Sequence, residues 1–402
     1  MSHPPSFCCT CNSFSKFQSS TFIMNRRFCD LKKKHWLFGL LFAFVLLVLA
    51  ACNGNDSKDE TNPSEEGTTS TETTTTEEEA TTEESPSGKL VIYTGRDEGL
   101  VQGVIERFNE KYPDIEVEYL TMGAQQILER LRAEKANPQG DFWWGGTQSA
   151  LIVGANEDLL HSWEPSFANA INNEHKDAEG RWFGEMLLPE VIMINSDVLT
   201  KETGPQDWDD LLDPKWKDQI LIRGVLASGT MRTIYSSMIV RQGADTPEKG
   251  YDWLMKLDAN TKEYTQDPNQ LYLKLTRQEG TVSLWNLQDI LLKKHTTDYP
   301  FDYIYPKSGA PILVDGVAVV NNAPNLKNAE LFTEFLFEQG LVTELANEYY
   351  QIPTRTDIDL NAMPDWYKEL NLTTFDIDWE VMSAKEAEWM EYWDTNIKGR
   401  AK

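Results

Sequence analysis

The last of five cysteines is Cys52, and the 350 residues that follow contain none. Without thiols, that stretch has no disulfide, no cysteine-ligated zinc and no thiol nucleophile. Whatever folds there is held by burial of apolar side chains. His161, His175 and His295 are its only histidines and form no His-x-x-x-His pair, so no metal centre is expected. Residues 88–402 make up an aromatic-rich stretch of 315 residues, long enough for two domains.

The segment before Cys52 has the layout of an export signal. Arg26, Arg27, Lys32, Lys33 and Lys34 are followed by an apolar run at 36–51, which ends in the small pair Ala50-Ala51. That run is 16 residues long, short of the roughly 20 needed for a membrane-spanning helix. With a cysteine at the junction, Leu49-Ala50-Ala51-Cys52 resembles a bacterial lipobox, in which the thiol is acylated and becomes the new N-terminus. Residues 1–51 are thus expected to be a signal segment, and Cys52 a lipid anchor on the outer face of the cell membrane. Residues 1–23, with Cys8, Cys9 and Cys11, fit no signal region, and the conventional leader opens at Met24, which points to a start there.

Residues 53–87 are nearly all Thr, Glu, Ser, Asn and Pro, with no apolar side chain larger than Ala. Nothing in them offsets chain entropy by burial, so 52–87 reads as the lipidated cysteine and a disordered tether. The net charge of −27 divides into +5 on residues 1–51, −10 on 53–87 and −22 on 88–402. So acidic a body repels nucleic acid, and an anionic ligand must be held by local donors against the overall field.

From residue 88 onward, strand and helix patterns alternate. Strand-like runs at 90–93, 115–119, 142–144, 191–194, 220–222, 281–285 and 317–320 are interleaved with helical spacings, including late ones at 329–337 and 385–393. This predicts an α/β fold with mostly parallel sheets flanked by helices. In such sheets ligands meet the loops at the carboxyl ends of strands. Four loops qualify: Thr94-Gly95-Arg96-Asp97, Gly145-Gly146-Thr147-Gln148 after Trp143-Trp144, Ala227-Ser228-Gly229-Thr230, and Trp285-Asn286-Leu287-Gln288. Taken singly, Ser and Thr before a helix also fit caps, Gly-Gly fits a turn, and Arg96 fits an ion pair with one of the many acids. Of Trp143 and Trp144, one is expected in the core and one in a cleft. There is no Gly-x-Ser-x-Gly elbow, no Walker loop and no His-Glu-x-x-His, so no catalytic residue, metal or cofactor is expected.

Taken in order, 91–95, 142–146, 227–230, 280–283 and Asp315-Gly316-Val317-Ala318-Val319 with Ala323-Pro324-Asn325 resemble solute-binding proteins of ABC importers, in the ferric-ion, organophosphonate and sugar-phosphate group. The resemblance spans about residues 90–355. It implies a two-lobed, type II periplasmic-binding-protein architecture: lobe 1 from 88–190 plus 313–402, lobe 2 from 191–312, joined by crossing hinge strands. It also implies a monomer that delivers a small solute to a membrane permease. The expected ligand-binding residues are Thr94, Gly95, Arg96, Trp144, Gly145, Gly146, Thr147, Ser228, Gly229, Thr230, Trp285, Asn286 and Asp315. Ferric-binding members place adjacent tyrosines where this chain has Trp285, Asn286, Leu287 and Gln288, and hard ferric iron favours anionic oxygen. A phosphonate- or sugar-phosphate-like anion at the Ser228/Thr230 helix start is therefore expected ahead of iron. An exported hydrolase or a surface sensor using the same cleft is the alternative from another class.

Overall fold

A computed structural model describes residues 85–401. The signal segment, Cys52 and most of the tether lie outside the described residues. The strands are β1 (Gly88–Thr94), β2 (Ile115–Thr121), β3 (Phe142–Thr147), β4 (Phe183–Asn195), β5 (Ile220–Arg223), β6 (Thr261–Thr265), β7 (Val282–Asn286), β8 (Phe301–Ile304), β9 (Ile312–Val319) and β10 (Ile352–Pro353). They run in the order β2-β1-β3-β9-β4-β7-β5-β6, with β8 and β10 also on β4. β1 is parallel to β2 and β3, and β5 is parallel to β6 and β7. These are the strand-helix-strand units that the alternating pattern predicts, and the architecture is α/β with helices flanking the sheets; the sheet is mixed rather than mostly parallel, because every pairing of β4 and β9 is antiparallel.

β4 links the two halves. Its residues 183–189 pair antiparallel with β9, whereas 190–195 pair with β7 and β8, so the partner changes between Pro189 and Glu190. Two separate cores form on either side of that change. The first gathers Leu90, Ile92, Phe108, Phe142, Trp143, Trp144 and Phe332. The second gathers Val191, Ile192, Ile220, Ile222, Ile234, Leu254 and Leu284. Between them lies a small cluster of Met186, Leu188 and Leu313, and Trp379 packs against all three.

Two expectations change here. The helix Trp379–Asn396 buries Met382, Trp389, Met390 and Trp393 in the second core and also lies against the helix Gln148–Asn156 beside the first, so it does not belong only with the lobe to which 313–402 were assigned. Its Glu386 pairs with Arg232 at 2.6 Å, both nine-tenths buried. In addition, Gly145-Gly146 does not form a turn that ends the strand. β3 continues to Thr147 through a register shift opposite β9, with Gly145 at φ +93°, a conformation open to glycine at little cost.

Candidate ligand-binding cleft

A cavity of about 710 Å³ opens between the two cores, lined by residues of both. Gly95, Arg96, Gly145, Thr147, Ser228, Gly229, Thr230, Trp285, Asn286 and Asp315 line it, so all four loops meet there although up to 191 positions separate their residues in the chain. Thr94, Trp144 and Gly146 do not line it. Thr94 is fully buried and its hydroxyl accepts from the Arg96 N–H. Gly146 faces Leu151 and Trp143 in the core. Trp143 and Trp144 are both fully buried, which corrects the expectation of one core and one cleft tryptophan. Trp144 acts from behind the wall: its Nε1 donates to Glu185 Oε2 at 2.7 Å.

Arg96 takes the ion-pair alternative. Its Nη2 lies 2.5 Å from Glu185 Oε2 and 2.8 Å from Asp315 Oδ1, with all three side chains largely buried. Two carboxylates on one guanidinium leave it no net charge for an anion. Asp97, next along, caps the helix Glu98–Lys111 by accepting from Gly99 N–H. Asp97 also pairs with Lys293 at 2.7 Å, tying the first lobe's loop to the second lobe's helix Leu287–Thr296.

Asp289 was not singled out in the sequence, and it organises the fourth loop. Its Oδ2 accepts from Trp285 Nε1 at 2.9 Å, Asn286 Nδ2 at 3.0 Å and the Tyr272 hydroxyl at 3.3 Å. Trp285 and Asn286 therefore position a carboxylate that faces the cavity. Burial, followed by the Asp289 charge, holds the Tyr272 phenol well above its ordinary range, so it stays a donor.

The third loop has the opposite character. Ser228 caps the helix Gly229–Gly243, its Oγ accepting from Met231 N–H at 3.3 Å. The first-turn N–H groups and the Thr230 hydroxyl then sit at the positive end of a 15-residue helix that opens on the cavity. Beside them stands Arg223, the last residue of β5, half-buried and lining the same cavity. Among the described residues no carboxylate lies within ion-pair distance of it, and burial lowers its guanidinium from the usual range. Sequence reading missed Arg223, although its position closing a strand just before Gly224 and the Ser-Gly-Thr loop was a usable signal.

The lobes meet at one lip of this cavity. A Cβ added to Gly123 would fall closer than 3.0 Å to the Ala227 carbonyl oxygen, and one on Gly229 equally close to Thr147 Cγ2. Both glycines permit backbone approach across the lip.

The bacterial extracellular solute-binding protein family matches residues 147–378. A protein of Sinorhizobium fredii named as a periplasmic-binding component of an ABC transporter is 23% identical over 287 residues, 70% of this chain and 80% of its own. A periplasmic protein of Salmonella typhimurium named for 2-aminoethylphosphonate binding is 25% identical, across 62% of this chain and 72% of its own. The solved structure of the periplasmic binding protein AfuA from Actinobacillus pleuropneumoniae, with fructose-6-phosphate bound, superposes with a TM-score of 0.68. It is 26% identical and covers 77% of this chain and 99% of that one. With more than half of its length matched, this chain belongs to the bacterial extracellular solute-binding protein family.

Proposed function

We propose that this chain is the lipid-anchored receptor of an ABC importer, which captures a small organic anion between two lobes and presents the closed form to a membrane permease. The observation that carries this reading is the anion pole: a half-buried arginine, Arg223, with no ion pair among the described residues, beside the Ser228-Gly229-Thr230 start of a long helix, in one cavity. In a body of charge −22, such a concentration of donors is the local compensation that an anionic solute requires. A phosphonate or phosphate ester suits that donor set. The relatives' names and AfuA's bound sugar phosphate lend support. Iron is served less well, because the cavity's tyrosine, Tyr272, keeps its proton and donates to Asp289 rather than offering a phenolate.

In this reading 88–190 with the following return strand forms one lobe, 191–312 the other, and β4 and β9 serve as the hinge. Binding shifts an open–closed equilibrium. Cys52 and residues 53–87 place the receptor on a leash outside the membrane, and the protein acts as a monomer.

The experiment is a thermal-shift panel of phosphonates, sugar phosphates and ferric citrate, followed by the double variant Ser228→Ala/Thr230→Ala. A ligand at 100 times its dissociation constant adds about 2.7 kcal/mol to stability. An organic phosphate or phosphonate is expected to stabilise the wild type, and the double variant to weaken its binding with the fold intact. Unchanged affinity in the variant would reduce the loop to a helix cap. Stabilisation by ferric citrate alone would overturn the anion reading.

A further inference from the structure

Neither Tyr349 nor Tyr350 lines the cavity, yet this adjacent pair touches both lobes beside it. Tyr349 ends the helix Gln339–Tyr349 and packs against the first core. Its hydroxyl donates to the Gly99 carbonyl at 3.4 Å and lies over Gly103, where a Cβ would come within 2.6 Å of it. Tyr350 turns the other way. Its ring stacks on His295, with 5.2 Å between centroids and 16° between planes, and meets Trp366 at 5.5 Å. His295 stands in the last turn of the helix Leu287–Thr296, whose Leu287 and Ile290 belong to the second core, and Trp366 packs against that same core. At the other end of this helix, Gln288 Nε2 donates to the Tyr349 carbonyl at 2.9 Å. The helix is therefore held in its first turn and in its last. Tyr350 sits at φ +57° and ψ 32°, the left-handed region, where a helix usually ends in glycine because a Cβ is strained there. An aromatic residue kept in that conformation points to a contact that its ring must make.

Resting on the receptor reading of this cavity, we infer that Tyr349-Tyr350 is an inter-lobe latch, which holds the helix Leu287–Thr296 against the first lobe and slows release of the solute without touching it. Gln288, Asp289 and Lys293 of that helix line the cavity. Contacts on Gln288 and His295 thus fix how this wall stands against the first lobe, and the Asp97–Lys293 pair closes the same edge. Tyr349 is rooted in the first lobe. When the lobes part, Tyr350 leaves His295 and Trp366, and its half-buried ring returns to water. The backbone strain at Tyr350 is local, so it is present in the open and the closed forms alike, whereas the ring contacts belong to the closed form. Tyr350 is a positioning residue, and its ring is the part that acts.

The test is stopped-flow measurement of association and release in the full-length protein, with fructose-6-phosphate and 2-aminoethylphosphonate as probes, for wild type, Tyr350→Gly, Tyr350→Phe and His295→Ala. Tyr350→Gly and His295→Ala are each expected to release the bound probe about 3- to 10-fold faster, the size of one aromatic contact, with association within about twofold of wild type. Tyr350→Phe keeps the ring and is expected to match the wild type. The double variant Tyr350→Gly/His295→Ala is expected to release no faster than Tyr350→Gly, because both changes remove one contact. Glycine relieves the left-handed backbone, so the ligand-free Tyr350→Gly protein is expected to melt at or above the wild-type temperature. Wild-type release from Tyr350→Gly, or losses that add in the double variant, would overturn the latch and leave the receptor standing. A lowered melting temperature for ligand-free Tyr350→Gly would place the ring contact in the open form as well, which also overturns the latch. Binding of neither probe by the folded wild type would overturn the receptor reading, and this inference with it.

Discussion

Replacing Gly123 by alanine isolates lobe closure from folding. Gly123 sits at φ −66° and ψ 152°, a conformation that alanine adopts freely, so the backbone of the first lobe is not strained. The added Cβ meets one obstacle, the Ala227 carbonyl of the other lobe, at less than 3.0 Å. The carbonyl is backbone and a Cβ has no rotamer, so nothing can rotate away. Recovering ordinary contact requires the lip to part by about 1 Å. Overpacking of this kind costs about 1–3 kcal/mol, or roughly 5- to 150-fold in affinity for a solute that binds only the closed form. When the lobes are apart the methyl group points to solvent. The ligand-free variant therefore loses only the small difference between glycine and alanine at the start of the helix Ala124–Glu134, under about 1 kcal/mol. The assay is calorimetric titration with whichever phosphonate the wild type binds, alongside melting of the free protein. A dissociation constant within about twofold of wild type would refute the argument that this lip closes on the solute. A large loss of stability without ligand would show that the contact belongs to folding and not to closure.

Other outcomes follow from the same geometry. Lys293→Ala removes the cross-cleft pair with Asp97 and is expected to weaken solute binding by about 2- to 10-fold, through faster release, with little change in free-protein melting; an unchanged release rate would make that pair incidental. Glu190 keeps a proton in the folded chain that it gives up on unfolding, so its contribution to stability falls as pH rises above the ordinary carboxylate range. Glu190→Gln is expected to flatten the decline in stability as pH rises above about 4.5, removing up to about 1.4 kcal/mol per pH unit. Identical slopes for wild type and variant would place Glu190 in its charged form. Arg232→Met is expected to destabilise the free protein by about 3–5 kcal/mol, because it leaves Glu386 buried and unpaired beneath the last helix. Denaturant unfolding measures this, and a loss below about 1 kcal/mol would mean that Glu386 finds another donor.

The sequence carried the fold well where local chemistry decides it. Apolar runs such as 90–93 and 220–222 end in polar Gly, Ser or Thr loops, and those loops are where strands hand over to helices. Those loops hold nine of the ten expected residues that line the cavity; the tenth, Asp315, came with the family resemblance and lies inside β9. What stayed hidden depends on partners distant in the chain. Arg96 could not be told from an anion clamp until Glu185 and Asp315 came to lie beside it. Asp289 was one acid among 64, with nothing local to mark the three donors that aim it into the cleft. Trp144 carries an indole N–H that fitted a cleft wall equally well, and only the carboxylate of Glu185 behind the wall explains its full burial. The last helix showed its periodicity but not which lobe supplied the apolar surface for Met382, Trp389 and Trp393.

The central claim, that the chain is a receptor gripping an anion at Arg223 and the start of the helix Gly229–Gly243, is tested most directly by titrating wild type and Arg223→Ala with the same organic phosphonate. The wild type is expected to bind one-to-one and the variant at least tenfold more weakly, with equal melting temperatures in the absence of ligand. Equal affinity for both proteins would contradict it.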